Sequence, residues 1–139
     1  QGHATRRRTH AAPFRRLMKF IALVDALHVV HRLNFYVKDV GLLDSALARP
    51  ASEMFGVEAY PAFELKAAAL HQSLVTYHAL LDGNKRLAWL LLNVFVELNG
   101  FELVMTADEG FDFTLGVAEG RHDLAAAASI IGGHLRPLD

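Results

Sequence analysis

The chain is organised around nine residues, His78-Ala79-Leu80-Leu81-Asp82-Gly83-Asn84-Lys85-Arg86. A second apolar segment, from Leu87 to Leu98, follows them, and apolar residues at helical spacing lead into them. The nine residues are therefore predicted to join two helices, with the outgoing one as a central buried helix. The incoming apolar stripe consists of Phe63, Ala67, Leu70, Leu74 and Leu81.

The polar residues of this junction suit an anion. The first backbone N–H groups of a helix have no partner within the helix and carry partial positive charge, so a phosphate is a natural occupant. Gly83 lets the backbone approach a ligand closely or adopt a positive φ, while Asn84, Lys85 and Arg86 add an amide and two cations. A phosphate chain is the predicted ligand of these four residues.

Two further side chains extend this chemistry. Asp82 would repel bare phosphate, so its place beside the cations indicates a hard divalent ion, Mg²⁺, shared between the carboxylate and phosphate oxygens. His78 is the nearby group that can take a proton from a hydroxyl near neutral pH. The junction thus predicts a base, a metal ligand and a phosphate site within one turn.

Simpler readings of the same residues exist. His78 continues the apolar stripe of the incoming helix and could be a core histidine at its end. Asp82 could cap the next helix, leaving Lys85 and Arg86 as solvated charges. Cations in a first helical turn are unfavourable unless something negative faces them, which favours the phosphate reading.

These residues resemble the motif of Fic and Doc proteins, H-x-F-x-(D/E)-(G/A)-N-(G/K)-R. Lys85 and Trp89 point to the Doc, or death-on-curing, branch, because AMP-transferring Fic proteins have glycine and arginine at those positions. Residues 40–50, V-G-L-L-D-S-A-L-A-R-P, are similar to the Doc segment G-L-L-x-S-A-L-A-R-P. Leu80 replaces the family's phenylalanine, an apolar change expected to affect packing. The resemblance covers about residues 18–135.

The resemblance implies a compact all-α, single-domain helical bundle in which residues 51–60 form a flap, a loop or short hairpin that holds a target segment. It implies ATP as the phosphate donor, Mg²⁺ on Asp82, nucleotide phosphates on Gly83, Asn84, Lys85 and Arg86, and His78 as the base acting on a threonine or serine hydroxyl. The implied target is elongation factor Tu, with arrest of translation and a Phd-like antitoxin as partner.

Two alternatives remain open at this stage. AMP transfer uses the same base with the nucleotide reversed, and an arginine at position 89 would help to clamp its terminal phosphates, which Trp89 cannot do. A catalytically weak module that only binds an antitoxin is the other. Many Fic proteins carry an inhibitory S/T-x-x-x-E-(G/N) helix, but residues 114–120 have one residue too many, so the inhibitor is predicted to be a separate protein.

Composition limits the remaining possibilities. The chain has 139 residues, 53% of them hydrophobic, a formal charge of −1 and no cysteine. This predicts one domain and excludes disulfide scaffolds and thiol nucleophiles. A near-neutral charge gives no general attraction to nucleic acid or membranes, and the run from Leu87 to Val96 is about half the length of a spanning helix. The simplest reading is a cytoplasmic protein.

The rest of the chain yields coarser predictions. Residues 1–17 are interpreted as a tag remnant and a disordered basic extension, and residues 18–136 as the domain. His28 and His31 lie three apart on the first helix, but no further ligand at suitable spacing supports a metal site. Helices are predicted over residues 18–33, 42–48, 61–78, 111–118 and 124–131, with an extended segment over 101–105.

Overall fold

The computed structural model describes residues 18–139, and the interpretation of residues 1–17 concerns a part of the chain outside this range. Six α-helices and two small antiparallel sheets lie within the described residues, which confirms the all-α prediction. The elements are α1 (Leu23–Arg32), α2 (Val40–Ala48), a 3-10 turn (Arg49–Ala51), β1 (Glu53–Met54), β2 (Val57–Glu58), α3 (Phe63–Thr76), α4 (Asn84–Leu98), β3 (Phe101–Leu103), α5 (Ala107–Ala118), α6 (Leu124–Gly133) and β4 (Leu135–Pro137).

Helix α4 is the central buried helix that the sequence predicts. Its inward side chains are almost fully excluded from solvent, and burying each large one contributes about 1.5–3 kcal/mol. The Phe95 ring stacks on Phe63 of α3 at 5.3 Å between ring centroids. The buried residues of α4 are Leu87, Ala88, Leu91, Leu92, Phe95 and Val96.

Helix α3 packs between α4 and α6 and carries three polar side chains, those of Lys66, His71 and Ser73, into the core. Ala67, Ala68 and Ala69 are fully buried, and such small side chains allow close helix approach. Nε2 of the fully buried His71 lies 3.0 Å from Oγ1 of Thr114 on α5. Burial lowers the pKa of His71 to about 3, so the imidazole is neutral at physiological pH.

The segment between α2 and α3 is a hairpin, as predicted for residues 51–60. Strands β1 and β2 pair in antiparallel register, and the two turn residues both have positive φ, 53° at Phe55 and 79° at Gly56. Positive φ at both central positions is typical of a type I′ turn, whose twist suits a two-residue hairpin loop. Pro50 lies within the 3-10 turn that follows α2 and is buried.

Several predicted boundaries are wrong. α1 begins at Leu23, not at Met18, because the chain before it is extended and the Asn99 side chain bonds both N and O of Lys19. Leu81 belongs to no buried stripe, since α3 ends at Thr76 and Leu81 is 69% exposed. α5 begins at Ala107, well before residue 111, because Thr106 caps it.

The end of the chain also differs from expectation. α6 continues through Gly133, two residues beyond the predicted end at residue 131. Strand β4 then returns to pair with β3, placing Leu103 opposite Leu135. No helix in residues 18–139 is long and apolar enough to cross a bilayer.

Candidate active site

The turn between α3 and α4 presents His78 to solvent. α3 ends at Thr76, and His78 lies beyond it with φ 55°, a left-handed conformation. This conformation costs a residue with a Cβ about 1–2 kcal/mol, so surrounding contacts must hold it. The side chain is exposed. The reading of His78 as a core histidine at a helix end is therefore wrong.

The contacts that hold this turn come from residues 36–39. The carbonyl oxygen of Ala79 accepts hydrogen bonds from the N–H groups of Lys38, at 2.8 Å, and Asp39, at 3.1 Å. The Leu81 N–H donates to the carbonyl oxygen of Tyr36 at 2.9 Å. The segment after α1 thus pairs with the residues on the C-terminal side of His78 and fixes where the imidazole emerges.

Asn84 locks the same turn from inside. Its Oδ1 accepts the Leu80 N–H at 2.9 Å, and its Nδ2 donates to the Leu80 carbonyl at 3.0 Å. The Leu80 side chain is 1% exposed, so the residue that replaces the family's phenylalanine fills the core. Both heteroatoms of the Asn84 amide are therefore engaged within the loop, and its backbone N–H is the donor of this residue that has no acceptor in the described part of the chain.

The N-terminus of α4 is open and cationic. Its cap residue, Gly83, has φ 91° and provides no side-chain hydrogen bond, and the first turn contains no acidic residue. The first hydrogen bond of the helix joins Leu87 N–H to the Gly83 carbonyl. Within residues 18–139 the N–H groups of Asn84, Lys85 and Arg86 have no acceptor. Three donors and two exposed cations thus converge at one helix end, next to His78 in the chain.

The Phe35 ring packs against the N-terminus of α4, at Gly83 and Arg86. A Cβ added to Gly83 would lie 2.6 Å from Cε1 of Phe35, so the ring occupies the space that a side chain would need. The Arg86 guanidinium carbon lies 5.8 Å from the centre of the same ring, within cation–π range. Glycine at position 83 is therefore required both by its positive φ and by the close approach of Phe35.

Asp82 stands exposed at the edge of the turn. One of its carboxylate oxygens accepts the Gly83 N–H at 2.8 Å. It does not accept from the second or third residue of α4, so the reading of Asp82 as a helix cap is wrong. No group of three metal-binding side chains occurs in the described part of the chain. A single carboxylate fits Mg²⁺, which is commonly held by one or two carboxylates together with substrate phosphates and water.

Sequence reasoning missed the role of residues 35–39. The segment has no helical or strand periodicity, and its two aromatic residues, Phe35 and Tyr36, were the available signal that it contacts the rest of the fold. Two surface pockets, one lined by His28, Arg32 and Leu90 among others and one by Phe113 and His122, include none of residues 78–86.

The domain is small and helical, and its buried central helix begins in an open, cationic turn that also carries an exposed histidine. This combination is typical of the Fic/Doc class. Residues 9–96 match the model of the Fic/DOC family, and the chain belongs to this family. Over 99 residues the chain is 46% identical to a protein named Toxin Doc from Mycolicibacterium smegmatis (strain ATCC 700084 / mc(2)155). The matched region spans 70% of this chain and 76% of that relative. The resemblance to the Doc branch is confirmed.

Proposed function

We propose that this protein is a Doc-type toxin that transfers phosphate from ATP to a threonine or serine hydroxyl of a protein. The observation that carries the proposal is the open, cationic N-terminus of α4, which begins six residues after the exposed His78. A helix end with two cations and three N–H groups that have no acceptor in residues 18–139 suits a triphosphate, and an exposed imidazole is a suitable base for a hydroxyl.

In the proposed reaction His78 accepts the proton of the acceptor hydroxyl. The hydroxyl oxygen forms a bond to the γ-phosphorus as the bond from that phosphorus to the bridging oxygen of ADP breaks. The backbone N–H groups of residues 84–86 and the side chains of Lys85 and Arg86 bind and neutralise the phosphates. A base of this kind contributes roughly 10²- to 10⁴-fold, and positioning and charge neutralisation supply the rest.

Mg²⁺ is the proposed cofactor, with Asp82 as its protein ligand. When bound, the ion neutralises charge on the phosphate oxygens. Asp82 supports this role because it is exposed, lies beside the phosphate-binding turn, and keeps carboxylate lone pairs free beyond the one bonded to Gly83.

Phosphate transfer is favoured over AMP transfer by the residue at position 89. Trp89 is half-buried, and a Cβ on Gly110 of α5 would lie 2.4 Å from its indole ring. The indole is therefore wedged between α4 and α5 and offers no cation to the second turn of α4. The reversed nucleotide of AMP transfer would lack the clamp that an arginine there supplies.

The proposed acceptor surface is the hairpin. Three side chains near its turn are strongly exposed although apolar: Met54 at 70%, Phe55 at 98% and Val57 at 69%. A two-stranded hairpin also leaves strand edges unpaired, and an extended protein segment can add to such an edge. Following the resemblance, we propose elongation factor Tu as the acceptor, with arrest of translation in the cytoplasm.

A separate, Phd-like antitoxin is the proposed regulator. The segment nearest to a built-in inhibitory motif begins at Thr114, which is 4% exposed and hydrogen-bonded to His71. A residue so placed in the core is unavailable to the α4 turn. This burial supports a separate protein as the inhibitor.

The test is incubation of the protein with purified elongation factor Tu and either γ-labelled or α-labelled ATP, followed by intact-mass measurement of the factor. We expect transfer of the γ label only and a mass gain of one phosphate. Transfer of the α label with a gain of one nucleotide would overturn the proposal in favour of AMP transfer.

A growth experiment distinguishes the proposed enzyme from a non-catalytic module that only binds an antitoxin. His78→Ala should relieve growth arrest while leaving antitoxin binding intact, because the exposed imidazole contributes little to packing. If the wild-type protein is harmless when expressed without a partner, the binding-module reading replaces the proposal.

A further inference from the structure

Two cationic side chains, one before β1 and one after β2, contact the base of the hairpin, where it joins the helices. Arg49 lies in the 3-10 turn just before β1, and Lys66 lies on α3 after β2. Both donate to Tyr60: Arg49 Nε to its hydroxyl at 2.8 Å, and Lys66 Nζ to its carbonyl oxygen at 2.5 Å. Lys66 also pairs with Glu58, the last residue of β2. We call Arg49, Glu58, Tyr60 and Lys66 the root cluster.

Lys66 is an unusual residue to bury. It is 3% exposed, and a buried ammonium group is strongly destabilising unless it is paired and hydrogen-bonded. Its two partners, Glu58 and Tyr60, both belong to the hairpin side of the cluster. The position of the hairpin is therefore coupled to the solvation of Lys66, because moving the hairpin away would leave the ammonium without acceptors.

Arg49 also connects the hairpin to α3. Its Nη1 donates to Gln72 Oε1 at 2.8 Å and to Ser73 Oγ at 3.0 Å, with a longer bond to the Ala69 carbonyl at 3.3 Å. Its guanidinium carbon lies 5.2 Å from the centre of the Tyr60 ring. The arginine thus joins Tyr60 to the middle of the helix that ends just before His78.

From these contacts we propose that the root cluster positions the protein acceptor for transfer. It fixes the hairpin to α3, and α3 leads directly to His78, so the surface that receives the acceptor and the base share one rigid support. The residues of the root cluster are positioning residues and touch neither ATP nor the reacting hydroxyl. This inference rests on the proposed function, with the hairpin as the acceptor surface.

The test uses Glu58→Gln, which keeps the size of the side chain and removes the charge opposite Lys66. Glu58 has a half-exposed side chain (49%), so the change is compatible with folding. The matched control is Glu102→Gln, which removes the charge from the exposed pair of Glu102 with Arg136 between β3 and β4. Tyr60→Phe serves as a second variant, because it removes only the bond from Arg49 Nε to the hydroxyl.

Two readouts separate positioning from general stability. Hydrogen exchange of the Ala59 N–H, which bonds to the Ser52 carbonyl at 2.9 Å, reports hairpin opening without requiring activity. We expect this amide to exchange about fivefold faster in both variants, as local opening becomes easier. The KM for elongation factor Tu should rise about fivefold, with the KM for ATP unchanged, since only acceptor binding is weakened. Glu102→Gln should change neither.

The outcomes distinguish this inference from the proposed function. Unchanged exchange at Ala59 refutes the root cluster as the hairpin's anchor, whatever happens to transfer. Faster exchange without a change in the KM for the acceptor, or with an equal rise in the KM for ATP, refutes the positioning role. Absence of any transfer by the wild-type protein refutes the proposed function and the positioning role together, while the exchange result still decides the anchor.

Discussion

The N-termini of α4 and α5 both present free backbone N–H groups and partial positive charge, but their surroundings are opposite. At α5 the Thr106 hydroxyl accepts the Glu109 N–H at 3.1 Å, and the Glu109 carboxylate accepts the Thr106 N–H at 2.8 Å, with Asp108 adding a second acid to the first turn. At α4 a glycine precedes the helix, and the first turn carries Lys85 and Arg86 instead.

The difference is the one expected between a structural helix end and the proposed phosphate-binding end. A reciprocal cap and acidic residues stabilise α5, because they satisfy its free N–H groups and oppose its positive end. The N-terminus of α4 forgoes both contributions and adds two unfavourable charges. Such a departure from local preference is typical of functional sites, where a ligand supplies the missing partner. The predictions below test this division, starting with the largest expected effect.

His78→Ala should abolish most transfer at the α4 end. We expect kcat for phosphate transfer to fall roughly 10²- to 10⁴-fold, the usual contribution of a general base. The thermal midpoint should change little, since the side chain is exposed. Steady-state kinetics and a melting curve check both, and a variant that keeps most of its kcat would remove His78 from the mechanism.

The buried contact between His71 of α3 and Thr114 of α5 should make the fold sensitive to acid. The pKa of His71 is lowered to about 3 by burial, against an ordinary value of 6.5, so the unfolded chain binds more protons between these values. The free energy of unfolding should therefore decrease as the pH falls through this window, by about 1.4 kcal/mol per pH unit from this residue at most. Urea unfolding at several pH values measures it.

His71→Gln is the control for that measurement. Glutamine can still reach the Thr114 hydroxyl but has no titrating group. The variant should be less stable at pH 7 and should lose the part of the acid dependence that His71 contributes. An unchanged dependence on pH would show that acid acts through other groups.

Lys85→Ala, at the N-terminus of α4, should weaken ATP binding and raise the free energy of unfolding. Loss of a charge-assisted hydrogen bond should weaken ATP binding by about 1.5–3 kcal/mol, or roughly tenfold or more. Removing a cation from a helix N-terminus should raise the free energy of unfolding by about 0.3–1 kcal/mol. Titration calorimetry and urea unfolding test the two signs. A variant with weaker binding and lower stability would contradict the comparison.

Thr106→Ala should have the converse effect at the α5 end. Loss of the cap should lower the free energy of unfolding by about 1 kcal/mol. ATP affinity and kcat should stay at their wild-type values, because this helix end faces no ligand in the proposed function. Reduced ATP affinity in this variant would mean that the two helix ends are not functionally separate.

Features that depend on residues close together in the sequence could be predicted, and features that depend on distant residues could not. The periodic apolar residues of α4 predicted a buried central helix, and the cluster from His78 to Arg86 predicted the turn that joins it to α3. The left-handed conformation of His78 was not predictable, because it depends on hydrogen bonds from Lys38 and Asp39, some 40 residues earlier in the chain.

Two further differences have the same origin. Asn84 was assigned to phosphate by its residue type and motif position, whereas its side chain is bonded to Leu80 across the turn. Strand β4 was missed because it is three residues long and exists only through pairing with β3. The root cluster was invisible for the same reason, since Arg49 and Lys66 are 17 positions apart and meet only at Tyr60.

The most direct test of the central claim is an amide NMR titration of the wild-type protein with Mg²⁺ and ATP. The account predicts large, saturable shifts of the Asn84, Lys85 and Arg86 amides and none at Ala107, Asp108 and Glu109. Saturable binding that leaves the three α4 amides unshifted, or that shifts both helix ends alike, would contradict it.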